Sequence, residues 1–170
     1  MAYSEWLTMK LGASDNTPTP LRRVLGSGEA KRRWHVNLPS EAEWEKTARG
    51  DHKRVFPWGS EWDANRANYA EAQVGGTSAV GCFPGGASPY GVEELSGNIW
   101  EWTRSLGRPY PYDPTDGREN PNATGDRVLR GGSFYDDEWI LRTACRIDRH
   151  SDRGNNDLGF RVVISQGSEK

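Results

Sequence analysis

Glycine and proline punctuate the middle of this 170-residue chain so densely that long helices and strands are excluded there. Between Asp51 and Tyr90 the breaking segments are Pro57-Trp58-Gly59, Gly75-Gly76, Pro84-Gly85-Gly86 and Ser88-Pro89. Apolar residues make up only 34% of the chain, yet it contains eight tryptophans and six tyrosines. We therefore expect a loop-rich fold whose turns are held by aromatic packing around a small core.

The N-terminal region predicts one short helix followed by a loop. Helical spacing of the aromatic and apolar residues predicts an amphipathic helix over Ala2–Leu11, with Gly12 as its C-cap. Residues 13–33 combine proline and small polar residues with a basic run, which predicts a loop with a few extended residues around Leu21–Leu25.

A second helix is better specified, over Glu41–Arg49. Ser40 can cap its first turn while Glu43 reaches back to the cap, and Gly50 ends it. Strands are predicted over Asn98–Thr103, Arg127–Arg130 and Leu158–Ile164. The fold class is therefore α+β, with two short helices, small antiparallel sheets and a long loop over residues 104–126, a length that is associated with function or disorder.

Length and charge limit the function classes. A chain of this size accommodates one domain with one core, so residues 1–170 are expected to form a single domain. The formal net charge of -2 argues against a general nucleic-acid-binding surface. No apolar run approaches the ~20 residues that cross a membrane, and the N-terminus lacks a signal-peptide pattern. We expect a cytoplasmic location without membrane association.

Cysteines and histidines form no metal-binding spacing. Cys82 and Cys145 fit no zinc, redox or disulfide-framework pattern, and are expected to be two buried free thiols. His35, His52 and His150 are scattered, so a three-histidine metal site is not expected.

Seven motifs together resemble one known family. They are Leu38-Pro39-Ser40-Glu41-Ala42-Glu43-Trp44-Glu45, Ala48-Arg49-Gly50, Phe56-Pro57-Trp58-Gly59, Ala67-Asn68-Tyr69, Ser96-Gly97-Asn98-Ile99-Trp100-Glu101-Trp102, Arg130-Gly131-Gly132-Ser133 and Leu158-Gly159-Phe160-Arg161. In order and spacing, from about Ala2 to Val163, the chain resembles the formylglycine-generating-enzyme (sulfatase-modifying factor) family. The resemblance implies a C-type-lectin-like fold. Family members carry further N-terminal sequence, so we expect this chain to lack the family's N-terminal part.

The resemblance does not extend to the catalytic cysteines. In the formylglycine-generating enzymes, two cysteines shortly after Arg-Gly-Gly-Ser bind copper, which requires soft thiolates. Residues 134–141 contain no cysteine, so neither copper nor that chemistry is expected. Related sulfoxide synthases take iron from histidines of a separate domain, which this chain does not offer. The acidic run Asp136-Asp137-Glu138 is more typical of a solvated surface than of a carboxylate pair for hydrolysis.

Noncatalytic members of the family resemble this chain more closely. They are the variable proteins of diversity-generating retroelements, which diversify a cassette between Arg-Gly-Gly-Ser and Gly-Phe-Arg. Leu141–Arg146 matches their Leu-Arg-Ser-Ala-x-Arg segment, and an eleven-residue loop over 147–157 follows. Within residues 134–157, only Glu138 and Trp139 are residue types that adenine randomisation of an asparagine codon does not produce.

This resemblance implies a ligand-binding surface for an unknown protein or other macromolecule. The expected contact residues are Phe134, Tyr135, Asp136, Asp137, Trp139, Ile140, Cys145, Ile147, Asp148, Arg149, His150, Asp152 and Arg153. Arg142, Arg146 and Arg161 are assigned to the scaffold, where they pair with carboxylates or turn carbonyls. Two alternatives stay open, a divergent oxygen-using or hydrolytic enzyme and a sensor module of a larger signalling protein.

Calcium is the one cofactor that the resemblance implies. Relatives bind Ca²⁺ around the Ser-Gly-Asn-x-Trp-Glu-Trp motif. In this chain the site would use the side chains of Glu94 and Glu101 with backbone oxygens near Gly97 and Ile99, a set of hard oxygen ligands that suits the ion. The alternative is that Glu101 forms a salt bridge with an arginine.

Overall fold

The chain folds into short helices and small sheets, and the predicted α+β class is confirmed. The computed structural model describes residues 2–26, 34–152 and 154–166. Its helices are α1 (Ala2–Ala13), α2 (Thr19–Gly26) and α3 (Glu41–Arg49). Its strands are β1 (Trp34–Asn37), β2 (Trp100–Leu106), β3 (Arg127–Arg130), β4 (Arg146–Arg149), β5 (Leu158–Gly159) and β6 (Val163–Gln166). Among these residues, no helix is long and apolar enough to cross a membrane.

Two compact units divide these elements. The first contains α1, α2, β1 and β6, and the second contains residues 39–160. In the first unit β1 and β6 pair antiparallel, with Val36 opposite Ile164. The side chain of Val36 is buried, and its backbone N–H donates to the hydroxyl of Thr8 at 2.9 Å. This hydrogen bond fixes α1 to the edge of the two-stranded sheet.

Helix α1 confirms the first predicted helix but not its predicted end or its buried face. It extends to Ala13, so Gly12 lies inside the helix rather than at its C-cap. Tyr3 and Trp6 contact each other, with ring centroids 5.6 Å apart, and both are about half exposed.

Helix α2 corrects the prediction of a loop over residues 13–33 where it spans Thr19–Gly26, and residues 27–33 lie outside the described residues. Leu21, Val24 and Leu25 share one helical face, and Pro20 lies in the first turn, where a missing backbone donor costs little. The loop prediction is wrong for these residues because it follows the neighbouring proline and polar residues. The run of apolar residues at helical spacing is short and is the weaker indication. Among the described residues there is therefore one α-helix more than the two that the sequence predicts.

The second unit is built on a four-stranded sheet in the order β4-β3-β2-β5. Strand β3 pairs antiparallel with both of its neighbours, whereas β5 runs parallel to β2, so the sheet is mixed. Arg130 of β3 lies opposite Glu101 of β2 and Arg146 of β4. This register places the Arg-Gly-Gly-Ser motif next to the predicted calcium turn and the predicted binding region.

Two predicted strands and one predicted loop are corrected by the strand pairing. The predicted strand Leu158–Ile164 is two strands, because its ends pair with different partners, β2 and β1. Part of the predicted 147–157 loop is strand, because Arg146–Arg149 pairs with β3. The strand predicted over Asn98–Thr103 instead begins at Trp100 and ends at Leu106.

Helix α3 confirms the predicted helix and its cap. The Ser40 hydroxyl accepts the N–H of Glu43 at 3.1 Å, and the Glu43 carboxylate accepts the N–H of Ser40 at 2.7 Å. Gly50 follows the last helical residue, as predicted. Trp44 of this helix is buried and packs against Leu95, which is also buried.

Aromatic packing holds the loops of residues 51–90, as the sequence predicts. Phe56 and Trp58 are stacked with ring centroids 5.2 Å apart. Trp62 contacts both rings, and its own ring meets the edge of Tyr69 at 4.9 Å. These side chains form a second core cluster beside the one at α3.

Candidate functional site

Backbone anchors hold the segment that follows Arg-Gly-Gly-Ser. Ser133 is buried, and its N–H and hydroxyl donate to the Asp136 carboxylate at 2.9 and 2.7 Å. The carbonyl of Asp136 accepts the N–H of Ala70 at 3.1 Å, and that of Leu141 accepts the hydroxyl of Ser96 at 2.7 Å. Because Ser133 and Leu141 are both buried, the segment between them is fixed to the core at each end.

Two exposed aromatic side chains stand on this anchored segment. Tyr135 is 59% exposed and Trp139 is 63% exposed. The Tyr135 hydroxyl accepts a hydrogen bond from the Asn156 amide at 3.0 Å, which joins the two halves of the predicted binding region. Asp137, also exposed, accepts the N–H of Trp139 at 3.0 Å. Arg142 donates from Nε to the Trp139 carbonyl at 2.7 Å, the scaffold role predicted for it.

The second half of the predicted region begins in β4 and continues into the following turn. Asp148, Arg149, His150 and Asp152 are all exposed. The Nδ1 of His150 and the Oδ1 of Asp152 are 2.7 Å apart. Arg153 lies outside the described residues. The second half of the predicted binding region therefore offers exposed charged side chains, and the first half offers exposed aromatic side chains.

Phe134 is a correction to the predicted contact set. Its side chain is only 5% exposed, and its N–H donates to the Asn98 carbonyl at 3.1 Å. Phe134 belongs to the core because it directly follows the buried Arg-Gly-Gly-Ser motif. Its apolar side chain alone does not indicate whether it is buried or exposed. Partly buried members of the predicted set are Asp136, Ile140, Cys145 and Ile147.

A buried charge cluster links α3 to β3 and β4. The predicted pairing of Arg146 with a carboxylate is confirmed, whereas the meeting of Glu41, Arg130 and Tyr110 was not predicted. Glu41 and Arg130 are fully buried. Arg146 donates from Nε and Nη2 to the Glu41 carboxylate at 2.6 and 3.1 Å, and Arg130 pairs with Glu45. The Tyr110 hydroxyl also donates to Glu41, at 3.2 Å. Burial and the negative charge of Glu41 raise the pKa of Tyr110. A local sequence pattern does not predict this cluster, because a charged residue that will be buried cannot be distinguished from an exposed one by its neighbours in the chain.

Three of the predicted calcium ligands, Glu94, Gly97 and Ile99, lie on the turn that leads into β2, and the fourth, Glu101, lies in β2. Glu94 and Gly97 have positive φ values of 57° and 80°, which tighten this turn. Glu101 is 4% exposed, and its Oε2 accepts the indole N–H of Trp44 at 2.7 Å. The Glu94 carboxylate accepts the N–H of Gly81 at 3.2 Å, and the Gly97 carbonyl accepts the N–H of Ile99 at 3.0 Å. Carboxylate and carbonyl oxygens are the ligand type that Ca²⁺ takes, and calcium binding by these residues stays a prediction.

Clusters of three or more His, Cys, Asp or Glu side chains that could hold a metal ion are absent from the described part of the chain. Cys82 and Cys145 are both free, as predicted, but Cys82 is exposed and Cys145 is only partly buried. The prediction of burial is wrong because Cys82 lies in a surface turn.

Comparisons with known proteins identify the family. The sequence profile described as "Sulfatase-modifying factor enzyme 1-like domain" matches residues 1–166. The chain is 36% identical over 149 residues to "Inactive C-alpha-formylglycine-generating enzyme 2" of Mus musculus, covering 78% of this chain and 44% of that protein. It is 38% identical over 144 residues to "Hercynine oxygenase" of Mycolicibacterium smegmatis, covering 75% and 33%. The chain thus spans less than half the length of these relatives.

Two solved structures share the fold. "Treponema denticola variable protein 1" matches with a TM-score of 0.61 and 29% identity, over 75% of this chain and 47% of that one. PvdO from Pseudomonas aeruginosa matches with a TM-score of 0.70 and 26% identity, over 95% and 56%. The predicted C-type-lectin-like fold is confirmed by these neighbours. Sequence profile, identities and fold agree, and the chain belongs to the sulfatase-modifying factor enzyme 1-like family, which includes the formylglycine-generating enzymes.

Proposed function

We propose that this chain is a noncatalytic ligand-binding domain, a variable protein of a diversity-generating retroelement, with a diversified surface in residues 134–157. One observation carries the proposal. Tyr135 and Trp139 are mostly exposed on a segment whose backbone is bonded to the core on both sides. A rigid scaffold tolerates changed side chains without unfolding, which is what a diversified surface requires.

The chemistry of the exposed side chains suits a macromolecular ligand. Tyrosine and tryptophan provide large contact areas at low conformational-entropy cost, and are typical anchors of binding surfaces. Asp148, Arg149 and His150 add charged and hydrogen-bonding groups. The expected partner is therefore a protein or other macromolecule rather than a small substrate.

The relatives support a noncatalytic role. One is named an inactive enzyme and one structural neighbour is named a variable protein. Residues 134–141 contain no cysteine, so a copper-binding thiolate pair after Arg-Gly-Gly-Ser cannot form from this segment. An oxygen-using enzyme is the alternative, since hercynine oxygenase is also a relative.

Replacing four exposed residues tests the separation of binding surface from scaffold. Changing Tyr135, Asp148, Arg149 and His150 together to alanine should leave the fold intact, because exposed substitutions usually change stability by about 0.5 kcal/mol or less each. Trp44→Ala is the contrasting variant, since a buried tryptophan contributes about 3–5 kcal/mol. Trp102 is only partly buried and is less suitable. Urea midpoints measure both effects.

Binding completes this test. The four-alanine variant should lose affinity for a partner recovered with the unchanged domain. Unfolding of this variant like Trp44→Ala, or unchanged binding, would overturn the proposal. A copper charge-transfer band that depends on Cys145 would favour the enzyme instead. A near-copy of the DNA encoding residues 134–157, differing at adenines and adjacent to a reverse-transcriptase gene, would support diversification directly.

Calcium binding at the turn before β2 is proposed as a structural feature of the same domain. Glu94 and Glu101 would supply carboxylates, with carbonyls near Gly97 and Ile99. The ion would neutralise two carboxylates, one of which accepts the indole N–H of the buried Trp44, and would stabilise the turn. It would thereby fix the residues that precede β2 without taking part in any reaction.

A further inference from the structure

A cavity of about 310 Å³ lies between α3 and the loop of residues 107–126, and none of its lining residues belongs to residues 134–157. Its lining includes Glu45, Lys46, Arg49, Lys53, Tyr110 and Tyr112. Cavities of this volume are in the range that holds small molecules. The sequence analysis identified the same loop as unusually long, and the proposed function assigns it no role.

Side-chain hydrogen bonds and an ion pair hold the loop that forms one side of the cavity. Arg118 is buried, donates from Nη2 to the Pro109 carbonyl at 3.1 Å and pairs with Asp116 at 2.8 Å. Its guanidinium lies 4.6 Å from the ring centroid of Tyr112, whose hydroxyl donates to Glu119 at 2.7 Å. The two tyrosines are therefore held in place on their side of the cavity.

Positive charge predominates on the opposite wall. Glu45 is already paired, with Arg49 at 2.5 Å and with Arg130. Lys46 is paired with Asp51. Lys53 is exposed and has no carboxylate partner among the described residues. The lining thus carries more cationic groups than its own carboxylate neutralises.

Two cationic side chains on this wall mark where an anion would bind. Arg49 lines the cavity with a side chain that is 28% exposed, and its Nη1 pairs with Glu45. A partly exposed guanidinium can donate a further charge-assisted hydrogen bond to a carboxylate or phosphate oxygen. Lys53 lines the same cavity and can contribute a second charge to that group.

The tyrosine rings indicate the chemistry of the part of the ligand that is not anionic. The hydroxyl of Tyr110 is directed to Glu41 and that of Tyr112 to Glu119, so their rings are left to contact a ligand. Aromatic rings favour a planar, apolar group packed against them. We propose that this cavity binds a small organic anion with a planar ring, whose carboxylate or phosphate meets Arg49 and Lys53 while the ring packs against Tyr110 and Tyr112.

Two pairs of probes test the proposal on the whole chain. Benzoate and phenyl phosphate carry the ring with each anionic group, whereas benzamide is the neutral match of benzoate and inorganic phosphate lacks the ring. Binding is followed by amide chemical shifts in NMR titrations. Benzoate or phenyl phosphate should shift the amides of residues 45–53 and of Tyr110 and Tyr112, and the better of the two indicates a carboxylate or a phosphate as the natural group.

Variants locate the binding. Lys53→Gln should weaken binding of the better probe about tenfold, the scale of one charge-assisted hydrogen bond, and added salt should weaken it further. Tyr110→Leu should weaken it through loss of the ring, while Tyr112→Phe, which keeps its ring, should not. Lys10→Gln, the same change on the exposed face of α1, is the matched control. Absence of binding by both anions, equal binding of benzamide, or equal effects of Lys53→Gln and Lys10→Gln would overturn the proposal.

Discussion

At the scale of single residues, the buried carboxylate of Glu41 depends strongly on its hydrogen-bond and ion-pair partners. It receives two hydrogen bonds from Arg146 and one from Tyr110, and Arg130 lies 4.0 Å away. A buried charge that loses its partner is strongly unfavourable, because water no longer solvates it. Glu41 therefore holds two arginines of neighbouring strands in one arrangement.

Glu41→Gln should lower the free energy of unfolding by about 3 kcal/mol, because it leaves cationic side chains in the interior without full neutralisation. Urea denaturation measures the loss. Glu71→Gln removes the same charge at an exposed position and should change little. Equal stabilities of the two variants would show that the cluster contributes nothing.

Alanine substitutions at two glycines in similar backbone conformations distinguish the cost of backbone strain from the cost of steric overlap. Gly97 has a φ of 80° and Gly91 a φ of 72°. An added Cβ would lie 2.2 Å from the Asn68 carbonyl oxygen at Gly97, but would meet open space at Gly91. Gly91→Ala should cost about 1–2 kcal/mol for the left-handed conformation. Gly97→Ala should cost about 1–3 kcal/mol more, from overlap. Similar urea midpoints for the two would contradict this.

At the scale of elements, α3 shows how a local motif is reinforced by its surroundings. Its capping box is local, but Glu43 also pairs with Arg104 of β2 at 2.7 Å. Burial alone would raise the pKa of Glu43, yet hydrogen bonds from Arg104 and from the Ser40 backbone outweigh burial and lower it below 4.5. The cap therefore joins the helix to the sheet as well as closing its first turn.

The lowered pKa makes the contribution of Glu43 dependent on pH. A carboxylate with a depressed pKa in the folded state stabilises the protein above its unfolded pKa and loses that contribution as the pH falls through its folded value. Glu43→Gln should therefore reduce stability at pH 7 and flatten the loss of stability below about pH 4.5. Urea midpoints across this range test both effects. A parallel pH profile for the variant would exclude the pair as a source of acid sensitivity.

At the scale of the whole molecule, calcium is expected to raise the melting temperature. A ligand that binds only the native state stabilises it by mass action. Metal-free protein should therefore melt lower than calcium-loaded protein, and Glu101→Gln should abolish the difference. Differential scanning calorimetry provides the comparison. Identical melting of the unchanged protein with and without calcium would reject the site.

Sequence alone determined the parts of this protein that depend on neighbouring residues. The capping box at Ser40 and Glu43 and the stop at Gly50 are local hydrogen-bonding patterns, so α3 was predictable at both ends. The seven motifs identified the family and its fold, and the missing cysteines excluded a copper pair in residues 134–141. Aromatic packing in the loops followed from a chain poor in other apolar residues.

Tertiary structure decided what depends on pairing and burial. Phe134 and Tyr135 are adjacent aromatic residues, yet one is buried and the other exposed, because only the packing beneath them differs. Strand β4 and the split of β5 from β6 follow from partners far away in the chain. The charge cluster at Glu41 and the cavity beside Tyr110 are made by segments distant in sequence. Local patterns do not record such contacts, because their free energy arises only once the chain has folded.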